Sequence, residues 1–569
     1  MDAQDDVPPI TIDYDDNEMN VTVGEWVAVP NATETTGGSG NITVKKQVIF
    51  DQNATDITDG FRPEKEGDYT VRYTATDYIG QTVIGEYTVS ARLGDIPIFV
   101  DKPILPHYFI SGANYTVPML YANDYSSEGM TRRPAKVEIT DKAGTHTLNA
   151  GETFTPEVAV NGEEVIVTFV CGEARLPIKV PTVLAWIEEG GRPRLHMENY
   201  FVGDGFSIEK NDLSLTVSAT QSSGGWTFAN ALLAQNMELL FDGIADLCAF
   251  DALRIVLTDA EQSDVSVAFR IKNTGNKATI EVNGRNINLS YGFTEGSRFS
   301  VGYADAALKL GASRIAIERC VSGEPFIGFP SDKVMLSVFF EGATAGKAAY
   351  NLVRINGSTM NNAATDRSGP SISVLSDSYG GSVAPGSTVL LPIAKAGDTL
   401  DPNVNFSLTV YDPQNNVMRD VNGTLLQNVN PCVEYKILCD QYGQYRVAYT
   451  ASDTFKQNAR PNTNNVAYVV TVEDEEGPVI TFAKEFATHV TVGTAVAIPD
   501  ITVSDNVSAA ENIKILRYVI NPKGNYIDIP DGSNAILCSM TGIYEFGIIA
   551  MDEAGNMTTV RVAVTVVKG

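Results

Sequence analysis

Basic clusters are missing from this chain. Acids outnumber Lys plus Arg by 70 to 41, a formal charge of −29. Nucleic-acid binding requires cationic contacts to phosphate, and no basic run supplies them, so that class is excluded. Histidine is scarce: His107, His146, His196 and His489 are the only four, and no two are near in sequence. H-E-x-x-H, G-x-S-x-G and P-loop patterns do not occur. A Ser-His-Asp or Cys-His centre would have to assemble across the fold, so isolated or internally bonded histidines and no enzyme are expected. The six cysteines (Cys171, Cys248, Cys320, Cys432, Cys439 and Cys538) include no C-x-x-C. Domains of this size with ample apolar content do not need a disulfide framework. Cys248 with Cys320 is the one pair left open. No run of about 18 apolar residues exists for a membrane span, no signal peptide opens the chain, and no anchoring or lipidation motif closes it. The expectation is an excised fragment of a longer secreted or surface-anchored protein, with no direct membrane insertion.

What is present is a repeat. Gly24-Glu-Trp-Val-Ala-Val-Pro30, Gly112-Ala-Asn-Tyr-Thr-Val-Pro118, Gly386-Ser-Thr-Val-Leu-Leu-Pro392 and Gly493-Thr-Ala-Val-Ala-Ile-Pro499 share one pattern. Glycine permits a turn into a short strand, alternate apolar residues bury one face, and proline ends the ladder because it has no N–H. In three copies a second signature follows: Gly67-Asp-Tyr69 to Asp77, Gly443-Gln-Tyr445 to Asp453, and Gly542-Ile-Tyr544 to Asp552. Tyr69, Val71, Tyr73 and Ala75 fall on one face of a strand by the period of two. A tight turn such as Asp552-Glu-Ala-Gly-Asn556 and a returning strand make each a β-hairpin. Cys439 and Cys538 each lie four residues before the signature glycine, after Ile-Leu, and are expected to be equivalent small core positions.

The Gly-x-Tyr-x-apolar pattern resembles the tyrosine corner of immunoglobulin sandwiches. Antibody domains place a cysteine two residues after that tyrosine, where this chain has Val71, Val447 and Phe546. The resemblance is therefore to bacterial immunoglobulin-like domains of surface adhesins and secreted enzymes. The second copy departs from the pattern, because Val165-Ile-Val-Thr-Phe169 lacks both the tyrosine and the closing aspartate.

From about Pro181 to Ser368 neither signature occurs, yet strands are expected at Leu253–Thr258, Val265–Ile271, Ala278–Val282, Phe299–Ala304, Arg314–Glu318, Val334–Phe340 and Tyr350–Ile355. Their spacing and Gly/Asn/Asp turns indicate a second all-β architecture. Gly225-Trp-Thr-Phe-Ala-Asn230 and Lys333-Val-Met-Leu-Ser-Val-Phe-Phe-Glu-Gly342 resemble concanavalin/laminin-G jelly rolls, which implies a carbohydrate- or protein-binding domain. Jelly-roll glycosidases carry carboxylates alternating along one strand face. Val334–Phe340 has no acid and Arg314–Glu318 only one, which disfavours catalysis.

The expected fold is all-β, with tandem immunoglobulin-like sandwiches flanking a larger jelly roll: residues 1–93, 94–180, 181–368, 369–475 and 476–569. Sugar rings stack on flat apolar faces, so Trp226, Tyr200, Tyr291 and Tyr303 are the candidate ligand contacts, with Asn230 and Asp242 as polar partners. Burial is the competing reading for each, and of the alternating pair Trp226 and Phe228 one is expected to face the core. Two acidic runs, Asp13-Tyr-Asp-Asp-Asn-Glu18 and Glu473-Asp474-Glu475-Glu476, invite a test for calcium, which takes six to eight oxygens. Asp474, Glu475 and Glu476 are the candidate ligands, where an ion would stiffen the last junction. Solvated acidic loops are the favoured alternative, because the spacing is not that of a defined calcium loop. No other cofactor is expected. The expected function is non-catalytic binding at a bacterial cell surface by a monomeric adhesin fragment, with a host or dietary glycan, or a host protein such as an immunoglobulin, as partner. An accessory region of a secreted carbohydrate-active enzyme and a purely structural stalk remain alternatives.

Overall fold

The computed structural model describes residues 7–15, 18–235, 237–242, 250–273, 277–292, 299–304, 307–310, 313–316, 328–374, 381–455, 460–527, 529 and 533–569. The described residues are strands, turns and two short 3₁₀ segments. The chain divides into two compact units. One is Met1–Ser371 with Ala396–Asn405 and Ser452–Thr463; the other is Ile372–Lys395, Phe406–Ala451 and Asn464–Gly569.

Each copy of the repeat builds the same sheet. In the first, Met19–Thr22 runs parallel to Thr82–Arg92, which pairs antiparallel with Gly67–Thr76, then Thr43–Phe50, then Asn53–Ile57. The second copy repeats this order with Phe109–Ile110, Ala174–Val183, Glu164–Cys171, Lys136–Asp141 and Gly144–Leu148. Its topology is immunoglobulin-like although its tyrosine signature is missing. The last copy has the same order from His489–Thr491 through Met557–Val567, Gly542–Met551 and Lys514–Ile520 to Tyr526–Ile527. In the remaining copy Gly381–Val383 runs parallel to Thr463–Val472, followed by Gly443–Asp453 and Val404–Tyr411.

The Gly–Pro motif explains how each sandwich is closed. Gly24, Gly112, Gly386 and Gly493 have φ of 92°, 85°, 81° and 89°, in the left-handed region that a side chain disfavours. Each of these glycines donates its N–H to a carbonyl distant in sequence, that of Pro63, Pro156, Cys439 or Cys538, at 2.8–3.1 Å. Cys439 and Cys538 are thus equivalent buried positions. They, Cys171 and the exposed Cys432 are free thiols, whereas Cys248 and Cys320 lie outside the described residues.

The tyrosine signature acts through its hydroxyl. Tyr69, Tyr445 and Tyr544 each accept the backbone N–H of the residue four positions earlier (Lys65, Gln441 and Met540) at 3.1, 2.8 and 3.2 Å. Tyr73 and Tyr449 donate to the carbonyls of Pro30 and Pro392, the prolines that end the motif strands, at 2.8 and 2.6 Å. Tyr69→Phe also removes the bond from its hydroxyl to the Lys65 carbonyl, at 3.0 Å. We expect it to destabilise the first sandwich by about 1–2 kcal/mol, measured by chemical denaturation.

The central segment forms two antiparallel sheets. One runs in the order Phe201–Asp204, Gly224–Phe228, Lys333–Glu341, Ala252–Asp259, Ser266–Asn273, Lys277–Val282, Arg285–Gly292. The other runs Phe206–Lys210, Leu215–Ala219, Ala348–Ile355, Met237–Asp242, Phe299–Ala304, Ala307–Leu310, Ser313–Ala316. Their core includes Trp226, Phe228, Leu239, Ile255, Phe269, Leu336 and Tyr350. Leu400 and Phe455 join the same core, although the sequence assigned them to the following sandwich.

Candidate functional site

A cluster of buried carboxylates lies in the first unit. Asp398 directly follows the strand Ala394–Gly397 and is 5% exposed. Its Oδ1 accepts the N–H groups of Leu400 and Asp401, both at 2.8 Å, while Oδ2 is buried without a donor. Asp366, 6% exposed, also leaves Oδ2 without a donor. Asp401 Oδ2 accepts the amide and hydroxyl of Thr454 at 2.5 and 2.9 Å. Asp453, which closes the tyrosine strand, accepts the Asn462 side-chain amide at 2.7 Å, and the same amide nitrogen reaches the Asp366 carbonyl at 3.3 Å. Burial, then the neighbouring Asp366 charge, pushes Asp398 up to about 8. Burial pushes Asp366 up to about 6 and raises Asp401.

Asp259 shows what a satisfied buried carboxylate looks like in the same unit. It is fully buried, yet its oxygens accept Glu261 and Gln262 N–H and both the N–H and hydroxyl of Ser331 at 2.9–3.0 Å. Burial opposes its charge, but these bonds outweigh it and hold the carboxyl below its usual range.

Asp259 also fixes one wall of a cleft of about 340 Å³, because its partner Glu261 lines it. Residues 104–108 and 114–116 also line it, with His107, the half-buried Tyr108 and Asn114, as do Asn230, Lys333 and Asn403. Asn114 and Asn403 are tied by two hydrogen bonds, at 2.8 and 2.7 Å. The cleft thus offers an aromatic ring, an imidazole, amides and one charge of each sign.

Of the candidate ligand contacts chosen from sequence, Asn230 lines this cleft, and Trp226, Tyr200 and Tyr303 lie in the core. Trp226 is fully buried, packs edge-on against Phe201 at 4.8 Å and donates Nε1–H to Tyr350 Oη at 2.8 Å. Phe228 is buried beside it. Residues i and i+2 share a strand face, so both members of the pair enter the core, correcting the expectation that only one does. Tyr200 is fully buried and donates to the Leu400 carbonyl at 2.8 Å, and Tyr303 is buried against Phe329. Asn230, 5% exposed, donates to the carbonyls of Asp398 and Thr399 at 3.0 and 3.2 Å. Trp226 and Tyr303 lie on strands whose sheet face points inward, Tyr200 ends a 3₁₀ turn in the core, and Asn230, in the bend after Gly224–Phe228, lines the cleft with the little of its surface that is exposed. Tyr291 and Asp242 lie on strands, but their side chains lie outside the described residues. His196 is held between Glu189 and Glu198 at 2.9 and 3.1 Å, and His107 lines the cleft.

In the second unit the acidic run separates. Asp474 joins Asp505 and Asp552, one carboxylate oxygen of each lying within 4.8 Å of the others. Glu475 and Glu476 are exposed and stand apart from that group. Of the run at Asp13, residues 16 and 17 lie outside the described residues. Asp366, Asp398, Asp505 and the cleft residues Tyr108, Asn114, Glu261, Lys333 and Asn403 were not picked out from sequence, whereas Asn230 was. The available signal was Asp-x-x-Gly-Pro, present at Asp366 and again at Asp474.

No protein-family model matches the chain, and no curated protein matches it. Among solved structures it is similar to Sidekick-1 immunoglobulin domains 1–4, at 11% identity over 99% of this chain and 100% of that one, TM-score 0.21. It is similar to protocadherin gamma B2 extracellular cadherin domains 3–6, at 9% identity over 99% and 100%, TM-score 0.22. A tetra-tandem repeat in the extending region of a large adhesion protein matches at 12% identity over 88% and 96%, TM-score 0.22. Scores this low carry no argument, and the immunoglobulin-like reading rests on strand order and the tyrosine hydroxyls. Among the described residues no helix is long and apolar enough to cross a membrane.

Proposed function

We propose that this chain is a non-catalytic, extracellular adhesion-type binding region of a bacterial surface protein, and that its cleft takes a glycan. The observation that carries this reading is the composition of the cleft: the half-buried Tyr108 lines it together with the exposed Glu261 and Lys333, an aromatic ring beside polar groups that suit hydroxyls. The two antiparallel sheets behind it are compatible with a jelly roll of the carbohydrate-binding kind, an analogy of fold alone. The chain is to be screened whole on arrayed host and dietary glycans, with immunoglobulins on the same surface. A glycan signal that falls at least tenfold in Tyr108→Ala supports the reading. Capture of immunoglobulin alone replaces it with a host-protein receptor, and silence on every spot replaces it with a structural stalk.

A further inference from the structure

The carboxylates of the two units form the same constellation. In each, an aspartate of Asp-x-x-Gly-Pro (Asp366, Asp474) leads into a sandwich. A second (Asp398, Asp505) follows the strands Ala394–Gly397 and Ile501–Ser504. That second aspartate uses Oδ1 to accept the N–H groups two and three residues on: Leu400 and Asp401 in one case, Val507 and Ser508 in the other, at 2.8–3.0 Å. A third (Asp453, Asp552) closes the tyrosine strand and accepts the side-chain amide of an asparagine, Asn462 or Asn556, at 2.7 and 3.0 Å. The same asparagine then donates to the backbone carbonyl of the first aspartate, Asp366 or Asp474.

The oxygens left over are buried and unclaimed. Asp366 Oδ2 and Asp398 Oδ2 in one cluster, and Asp474 Oδ2 and Asp505 Oδ2 in the other, have no donor; Asp366 and Asp398 are themselves 6% and 5% exposed. Burying a carboxylate oxygen without a donor or counter-charge is costly. The first sandwich of the chain is an internal control. There Gly37 follows the strand Glu34–Thr36, and the closing Asp77 has its Oδ2 filled by the Ser39 N–H at 2.9 Å. In the two three-acid clusters the Oδ2 of the closing aspartate is likewise filled, by Asn462 or Asn556. The four unclaimed oxygens are those of the first and second aspartates, which have no counterpart among the described residues of the first sandwich.

We propose that each cluster holds one divalent cation of the hard, oxygen-seeking class, calcium foremost, bound by Asp366, Asp398 and Asp453 in the first unit and by Asp474, Asp505 and Asp552 in the second. Calcium–oxygen distances of about 2.3–2.6 Å allow two ligands of one ion to lie up to roughly 5 Å apart. The three oxygens of the second cluster lie within 4.8 Å of one another, whereas those of Asp366, Asp398 and Asp453 do not and have to draw together around the ion. Calcium's tolerance of irregular geometry suits a site assembled from a linker and two loops, whereas magnesium demands a near-ideal octahedron.

The test uses the whole chain, stripped with EDTA, and CaCl₂ alone as the probe. Equilibrium dialysis with metal analysis is expected to give two calcium ions per chain. Asp398→Asn and Asp505→Asn each reduce this to one, and the double variant binds none. These substitutions keep the size of the side chain and the Oδ1 acceptor, and circular dichroism checks that each variant is folded. The wild-type count does not depend on any variant folding. Fewer than two ions on the wild-type chain at millimolar calcium overturns the proposal, as does an unchanged count in the folded double variant.

Discussion

Trp226→Ala is expected to destabilise the central sandwich by about 3–5 kcal/mol, the range for removing a large buried aromatic. The side chain is fully buried between Phe201 on its own sheet and Tyr350 on the other. Its loss leaves a cavity and deprives the Tyr350 hydroxyl of the indole donor. That hydroxyl is fully buried, and burial already raises its ionisation well above the phenol range. Trp226→Phe should cost less, because the ring contact with Phe201 survives while the hydrogen bond does not. Thermal unfolding followed by circular dichroism measures both. A Trp226→Ala protein that melts with the wild type but has lost a ligand would show that the indole is a binding group and not part of the core.

Asp259→Ala is expected to cost about 2–4 kcal/mol, because three backbone N–H groups and one hydroxyl lose their acceptor at a position with no solvent access. Asp259→Asn keeps one acceptor oxygen and should recover about half. The effect reaches the cleft, since the same bonds hold the turn that carries Glu261. The folded carboxyl lies below its unfolded value. The stabilisation is therefore complete above the unfolded value near 3.8 and is lost as pH falls through the folded one. The wild type should lose stability with acid below about pH 4 more steeply than Asp259→Asn, by denaturation at a series of pH values.

Much of the strand architecture was legible because its causes are local. The left-handed backbone of the glycines, the prolines that end strands and the tyrosine hydroxyls that bond four residues back are conformational features set within a few residues, even though the glycine N–H groups then bond to distant carbonyls. The central strands were also legible: Phe299–Ala304 begins and ends where the pattern placed it, and the strands Ala252–Asp259, Lys333–Glu341 and Ala348–Ile355 extend the expected ones by one or two residues. The second sandwich was harder to read. It keeps the sheet order but not the tyrosine, and its Tyr115 instead accepts the Ile110 N–H at 2.8 Å.

The candidate site was largely illegible. Aromatic residues were chosen for their chemistry, but whether an aromatic faces a ligand or the core depends on which sheet covers it, and for Trp226 that is decided by Tyr350, 124 residues away. The acidic run at Asp474 advertised three adjacent ligands, yet neighbours along an extended chain point in different directions. Asp474 instead meets Asp505 and Asp552 from distant loops. The sequence by itself determined the all-β class, the repeat and the turns, because periodicity and backbone sterics need no partner. Only the tertiary structure decided which aromatics are buried and which carboxylates converge, because burial and convergence depend on the segments that fold over and beside a residue.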